Sequence, residues 1–145
     1  MRINQVIAAK PVKEVLTIRP DATVREMLGS LAEHNIGALV VSSDGTTVEG
    51  IVSERDVVRA LAEEEDLLGS PVSAIMTADV HTCEGHHAVN DLMQVMTEKR
   101  IRHVPVLEDG RLTGIISIGD VVKSRMSELE FERDQLDSYV HTAQT

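Results

Sequence analysis

The chain has 145 residues, enough for one compact domain with a substantial core. Its formal net charge is −10, which argues against a nucleic-acid partner, because proteins that bind nucleic acids carry a basic surface. Aromatic residues make up only 1% of the sequence, so the stacking platforms that bind single strands are absent. Cys83 is the only cysteine, so no disulfide can form within the chain and a reducing compartment fits. No apolar stretch has the length of a membrane span or the character of a signal peptide. We therefore expect a cytoplasmic protein that contacts neither nucleic acid nor membrane.

The first half of the chain predicts five elements in the order β-α-β-β-α. Its first helix has Val24, Met27, Leu28 and Leu31 at the spacing of one apolar stripe. A turn at Asp44-Gly45 separates two short aliphatic strands, and an acidic run is interpreted as the solvated end of the second helix. The predicted ranges are an extended segment at 16–19, a helix at 21–35, strands at 38–42 and 49–53, and a helix at 54–67.

The second half repeats this order. Residues 50–56 recur as 114–120, 64 positions later, and residues 36–41 recur as 101–106, 65 positions later. Each repeat has one sheet face to bury, so the two should pack together, and the segment between them is too short and apolar to be a flexible tether. The predicted ranges are an extended segment at 80–83, a helical stripe from Val89 to Met96, strands at 103–107 and 113–117, and a helix at 118–138. The expected units are an N-terminal segment with the first repeat at 1–69, the second repeat at 70–125 and a C-terminal helical extension at 126–145.

A Ser-x-x-Asp sequence stands where the last strand of each repeat meets its second helix, as Ser53 with Asp56 and Ser117 with Asp120. The simplest interpretation is a capping box, which satisfies free N–H groups at the start of a helix. The same groups can also hold a nucleoside phosphate, because a helix start favours phosphate and a carboxylate can accept from two ribose hydroxyls. The residues alone leave both interpretations open.

The duplicated Gly-aliphatic-aliphatic-Ser-x-x-Asp sequence, together with Arg102-His103-Val104-Pro105-Val106, resembles the CBS-domain family over about residues 10–125. The resemblance implies an α+β fold in which two β-α-β-β-α CBS repeats pack with pseudo-two-fold symmetry, followed by a C-terminal helical extension. It also implies a ligand in the clefts between the repeats, with AMP, ADP, ATP, NAD or S-adenosylmethionine as candidates and no required cofactor.

In that family each cleft combines the Ser-x-x-Asp of one repeat with the first-strand threonine and the second-strand backbone of the other. Carried over, the nucleotide-binding residues of one cleft are Ser117, Asp120, Thr17, Ile36, Gly37 and Ala38. Those of the other cleft are Ser53, Asp56, Thr82, Ile101, Arg102, His103 and Pro105, with Arg55 adding charge beside it.

The two predicted clefts differ in charge. Arg102 and His103 stand where the first repeat has Gly37 and Ala38, and an arginine or a protonated histidine can hold phosphate. We therefore predict unequal affinities, with phosphate binding that weakens as the pH rises through the titration of His103. The plain alternatives are a solvated surface cation for Arg102 and a satisfied interface histidine for His103.

Metal binding and catalysis are not predicted. Four potential metal ligands cluster in sequence, namely His81, Cys83, His86 and His87. Their spacing fits no common zinc pattern, so we expect at most weak adventitious binding. Ser117, His103 and Asp120 do not supply the base-and-orienter order of a catalytic triad, and no Gly-x-Ser-x-Gly elbow is present. We therefore expect no catalytic residues and no enzyme activity.

The C-terminal helix carries an apolar stripe at coiled-coil-like spacing. The stripe comprises Val122, Met126, Leu129, Leu136 and Val140, with Arg133 at the missing position. It is too short to stand alone in water, so it either folds back on its own domain or docks on another surface.

The resemblance implies a regulatory, energy- or redox-sensing module that binds an adenine nucleotide. With the duplication and the C-terminal stripe, it predicts a homodimer that changes its contacts with itself or with an unidentified protein partner when the ligand binds. The alternative is a ligand-free structural or interaction module that acts through its dimer interface and C-terminal helix. A hydrolase that acts on the bound nucleotide is a third and weaker interpretation.

Overall fold

A computed structural model of the protein describes residues 1–11 and 14–143. Within these ranges the helices and strands are α1 (Ile3–Ala9), β1 (Thr17–Ile18), α2 (Val24–His34), β2 (Ala38–Val41), β3 (Gly50–Ser53), α3 (Glu54–Leu61), a 3₁₀ turn (Val72–Ala74), β4 (Cys83–Glu84), α4 (Val89–Lys99), β5 (His103–Glu108), β6 (Arg111–Ser117) and α5 (Ile118–Ala143). None of the helices in the described ranges combines the length and the apolar character that crossing a bilayer requires.

The strands form two equivalent three-stranded sheets, in the orders β1-β2-β3 and β4-β5-β6. In each sheet the first two strands are parallel and the last two are antiparallel. The register places Ala38 opposite Ser53 in one sheet and His103 opposite Ser117 in the other. The predicted α+β fold of two β-α-β-β-α repeats with a C-terminal helix is confirmed.

Local sequence signals determine where the helices end and the chain turns. The Thr23 hydroxyl accepts a hydrogen bond from the Glu26 N–H at 3.1 Å and so caps the start of α2. Asn35 and Arg100 adopt left-handed backbone with φ of 51° and 55°, which ends α2 and α4 at equivalent places. Asp109 and Gly110 have φ of 51° and 78°, as a two-residue hairpin turn between β5 and β6 requires.

The N-terminal segment packs on the second repeat, which the sequence did not predict. Ile3 and Val6 are buried in a cluster with residues of α4, β5 and β6. The backbone joins the same repeat, because the N–H of Asn4 donates to the Gly85 carbonyl at 2.8 Å and the N–H of Val89 donates to the Met1 carbonyl at 3.0 Å. Helix α1 is therefore part of the second repeat's core.

The segment between the repeats, which precedes the second repeat, packs on the first. Leu67 and Val72 are buried in the core of the first repeat, and Ile51 and Thr77 exchange two backbone hydrogen bonds of 2.9 Å. Gly50 permits this approach, since a Cβ there would lie 2.6 Å from the Met76 sulfur. Each segment that precedes one repeat thus packs on the other, which ties the two halves together.

The predicted end of the second helix of the first repeat is wrong. Helix α3 was predicted to reach residue 67 but ends at Leu61, and the exposed acidic run at 63–66 lies beyond it. Four consecutive acids are unfavourable at the negative end of a helix dipole, and Leu67 must leave the helix path to reach the core. Helix α5 continues to Ala143, which agrees with the C-terminal helical extension predicted at 126–145; residues 144–145 of that range lie outside the described residues.

Candidate functional site

The candidate site is built around the two junctions at which β3 enters α3 and β6 enters α5. At the first junction the N–H of Glu54 donates to the Gly37 carbonyl at 3.1 Å. At the second, the N–H of Ile118 donates to the Arg102 carbonyl at 2.8 Å. Each helix start is therefore fixed beside the backbone that leads into the middle strand of its own sheet.

The Ser-x-x-Asp groups hydrogen-bond internally at both junctions. The Ser53 N–H and hydroxyl both donate to Asp56 Oδ2, at 2.8 and 3.1 Å. The Ser117 N–H donates to Asp120 Oδ2 at 2.9 Å, and the Ser117 hydroxyl accepts from the Asp120 N–H at 3.1 Å. The capping interpretation is thus correct for both. The aspartates are half-buried, and in the described part of the chain neither Oδ1 atom has a hydrogen-bond partner, so each carboxylate keeps an oxygen for a ligand.

Lys10 is a charged neighbour of Asp120 that the sequence did not reveal. Its ammonium lies 3.0 Å from Asp120 Oδ2 and donates to the Ile115 carbonyl at 3.0 Å. Burial raises the pKa of Asp120, but the N–H of Ser117 and the Lys10 ammonium outweigh it and hold that pKa below its ordinary value. Asp120 is therefore an ionised, paired carboxylate at neutral pH.

His103 connects the two repeats. A Cβ built on Gly37 would lie 3.6 Å from His103 Cε1 and 3.8 Å from Glu54 Oε1, so the imidazole and the Glu54 carboxylate meet at Gly37. Burial lowers the pKa of His103 below its ordinary value. The Asp120 and Glu54 carboxylates oppose that shift, while Arg102 and Lys10 add to it. His103 is therefore neutral at neutral pH and lies between charged groups of both repeats.

The other predicted site residues lie on the same elements but differ in accessibility. Thr17 is half-buried in β1, opposite Val40, and Thr82 is half-buried just before β4. Ile36 and Ile101 are half-buried, and their N–H groups donate to the last turns of α2 and α4. Buried residues are Ala38 and Pro105, and exposed residues are Arg55 and Arg102. Among the residues with described positions, neither of these arginines has an ion pair.

The histidine cluster differs from its sequence pattern. Cys83 is buried, and burial raises the pKa of its thiol to about 11. The carboxylate of Glu84, which is not one of the four predicted ligands, lies 3.4 Å from His86 Nε2 and 3.6 Å from His87 Nε2. His87 Nδ1 accepts from the Glu84 N–H at 3.1 Å, so in the neutral ring the proton is on Nε2 and faces the carboxylate. A metal at that nitrogen would have to break this arrangement.

Comparison with known proteins gives two matches to one family model. The model described as "CBS domain" matches residues 6–63 and 72–127. The solved CBS-domain protein ATU1752 from Agrobacterium tumefaciens is 45% identical, covers 86% of this chain and 99% of its own, and has a TM-score of 0.81. A Burkholderia ambifaria protein with CBS domains is 40% identical, with coverages of 88% and 95% and a TM-score of 0.81.

More distant likenesses extend the comparison. The mitochondrial CBS domain-containing protein CBSX3 from Arabidopsis thaliana is 37% identical over 125 residues; the match covers 83% of this chain and 61% of that protein. The CBS domain pair of protein MJ0100, solved in complex with 5′-methylthioadenosine and S-adenosylmethionine, is 24% identical, with coverages of 88% and 98% and a TM-score of 0.76. At that identity the likeness shows a shared fold.

Proposed function

The chain belongs to the CBS-domain family, as its duplicated motif predicted, and we propose that it is a regulatory CBS pair that binds an adenine nucleotide between its repeats and catalyses no reaction. One observation carries this proposal. Two half-buried aspartates stand at helix starts, and each has one oxygen without a hydrogen-bond partner among the described residues. His103, whose charge environment includes Asp120, reaches Gly37 of the other repeat. That arrangement suits ribose hydroxyls on the carboxylates and phosphate at the helix starts.

The proposed ligand contacts follow the residues of the family motif. Asp56 and Asp120 hold ribose, and the backbone at Gly37 and at Arg102 borders the adenine. The complex of MJ0100 with 5′-methylthioadenosine and S-adenosylmethionine supports an adenosine compound as a ligand for this fold. The candidates for this chain are AMP, ADP, ATP, NAD and S-adenosylmethionine.

Regulation then follows from linkage. A ligand that contacts both repeats shifts the protein toward the relative position of the repeats that binds it more tightly. The size of the shift is set by the difference in binding free energy between the two positions. Helix α5 begins at the Asp120 junction and extends to Ala143, so a change at that junction is carried into the helix. Ligand binding would thereby change the contacts that α5 makes with another protein chain.

Isothermal titration of the protein with AMP, ATP, NAD and S-adenosylmethionine tests the proposal. We expect at least one compound to bind saturably and to raise the melting temperature, since a ligand that binds only the folded state stabilises it. Absence of heat and of any melting shift across all four would favour the alternative, a ligand-free interaction module.

We propose that a second copy of the chain covers the exposed stripe of α5. The helix runs on with large apolar side chains in solvent, among them Met126, Leu129 and Leu136, which are 57%, 50% and 67% exposed. The stripe does not fold back on its own domain, and a lone helix of this kind gains stability only by packing. Pairing with an identical stripe buries these side chains.

Leu129→Lys is expected to convert this dimer to a monomer, because it places a charge in the centre of the apolar seam. Sedimentation equilibrium measures the mass, and Lys123→Ala, also exposed on α5 but not part of the stripe, is the matched control. A wild-type chain that is monomeric at all concentrations, or a variant that stays dimeric, would contradict pairing through α5.

Phosphate binding should depend on the protonation of His103. Because burial lowers the pKa of His103 from its ordinary value of 6.5, the imidazole gains charge only as the pH falls below that value, and affinity for AMP should then rise relative to a His103→Gln variant. Calorimetry from about pH 5.5 to 8 measures both proteins, which removes the titration of the phosphate itself. Parallel pH profiles for the two proteins would show that His103 does not contact phosphate.

A further inference from the structure

Lys10 gives the two clefts different electrostatics. Its ammonium is 3.0 Å from Asp120 Oδ2, and both side chains are mostly shielded from solvent, at 24% and 22% exposure. At the equivalent junction Asp56 accepts only from Ser53, and in the part of the chain that the structure describes no cation lies within ion-pair distance of it. Among the described residues, Asp120 therefore has a counter-ion at its junction and Asp56 has none.

This counter-ion occupies an atom that a ribose needs. A vicinal diol that binds a carboxylate with both hydroxyls uses both oxygens. Asp120 Oδ2 already accepts from the Ser117 N–H at 2.9 Å and from Lys10 at 3.0 Å, whereas Oδ1 has no partner in the described residues. Full engagement of Asp120 by a ribose therefore requires Lys10 to leave Oδ2.

The backbone that carries Lys10 stays in place when the ammonium moves. Helix α1 is anchored by buried Ile3, and Ile7 packs closely on β6, where a Cβ on Gly114 would lie 3.2 Å from Ile7 Cδ1. The Lys10 N–H donates to the Ile7 carbonyl at 3.2 Å. An ammonium displaced from Asp120 would thus stay tethered near the β6–α5 junction by a flexible four-carbon stem.

We propose that Lys10 makes the Asp120 cleft selective for adenine ligands that carry phosphate over uncharged adenosine. An uncharged nucleoside that takes Asp120 leaves the ammonium without an anion in a partly buried position, which is unfavourable. A phosphorylated ligand supplies a new anion to the same ammonium, and the ion pair is exchanged rather than lost. The inference rests on the proposed function and names the ligand class of this cleft.

The test compares AMP with adenosine in a chain that carries Asp56→Asn, so that the Asp120 cleft is measured alone. Lys10→Met should strengthen adenosine binding and weaken AMP binding, and we expect the ratio of their affinities to fall by about tenfold or more. Lys10→Arg keeps the charge and should keep the preference for AMP. Lys99→Met removes an exposed lysine from the last turn of α4 and should leave the ratio unchanged.

The outcomes separate the two proposals. Binding of both compounds with a ratio that Lys10→Met does not change would overturn the role of Lys10 and leave nucleotide binding intact. Failure of the Asp56→Asn chain to bind either compound would overturn both nucleotide binding at this cleft and the role of Lys10. Thermal unfolding without ligand checks that each variant is folded, since Lys10→Met removes both the ion pair with Asp120 and the hydrogen bond to the Ile115 carbonyl.

Discussion

Replacing Asp120 by Ala should weaken adenine-nucleotide binding at its cleft by about 100-fold, because two hydrogen bonds from ribose hydroxyls to a charged acceptor are lost. Asp56→Ala should have the corresponding effect at the other cleft. Asp120→Ala also removes the acceptor of the Ser117 N–H, which costs about 1 kcal/mol of stability, and it leaves Lys10 without its counter-ion. Calorimetry at a temperature well below the melting transition therefore measures binding and not unfolding.

The matched control for this prediction is Asp134→Ala. Asp134 is an exposed carboxylate on α5, paired with its neighbour Arg133, so its removal changes the net charge by the same amount without touching a cleft. An affinity lowered equally by both substitutions would mean that the loss is not specific to the cleft, and an affinity unchanged in Asp120→Ala would remove this carboxylate from the binding site.

Ile3→Ala should destabilise the protein by about 2–5 kcal/mol, the range for deleting most of a fully buried aliphatic side chain. Ile3 is 0% exposed and packs in the core of the second repeat, so the loss should lower the midpoint of urea unfolding as a core mutation does. Val58→Ala is the control, because Val58 is 68% exposed on α3.

A loss in Ile3→Ala no larger than in Val58→Ala would contradict the packing of α1 on the second repeat. The expected result would instead identify the N-terminal segment as a structural part of that repeat. It would also mean that the position of Lys10 at the Asp120 cleft depends on a helix that the sequence did not predict.

The repeated fold could be predicted because its signals are local and occur twice. The apolar stripes of α2 and α4, the Asp-Gly turns and the Ser-x-x-Asp junctions each depend on residues a few positions apart. Helix α1 lacked such a signal. Its seven residues form too short an apolar stripe to predict a helix. The apolar side chains of α1 pack on the second repeat, more than 80 positions along the chain, where Arg2 also forms a backbone bridge with Ala88.

The site divides in the same way. Asp56 and Asp120 were identified from their own motif, whereas the ion pair of Asp120 with Lys10 joins residues 110 positions apart and has no sequence pattern. From the sequence, the two clefts are predicted to differ in nucleotide affinity because of Arg102, His103 and Arg55. Unequal affinity stays a prediction, but the ion pair at the Asp120 cleft adds a source of asymmetry that only the packing of α1 reveals.

A crystal structure of the chain with its tightest-binding adenine nucleotide is the most direct test of nucleotide binding between the repeats. We expect the adenine beside the backbone at Gly37 or Arg102 and both ribose hydroxyls within hydrogen-bond distance, about 3 Å, of the Asp120 or Asp56 carboxylate. Clefts left empty at saturating nucleotide, or a nucleotide bound with its ribose away from both aspartates, would contradict it.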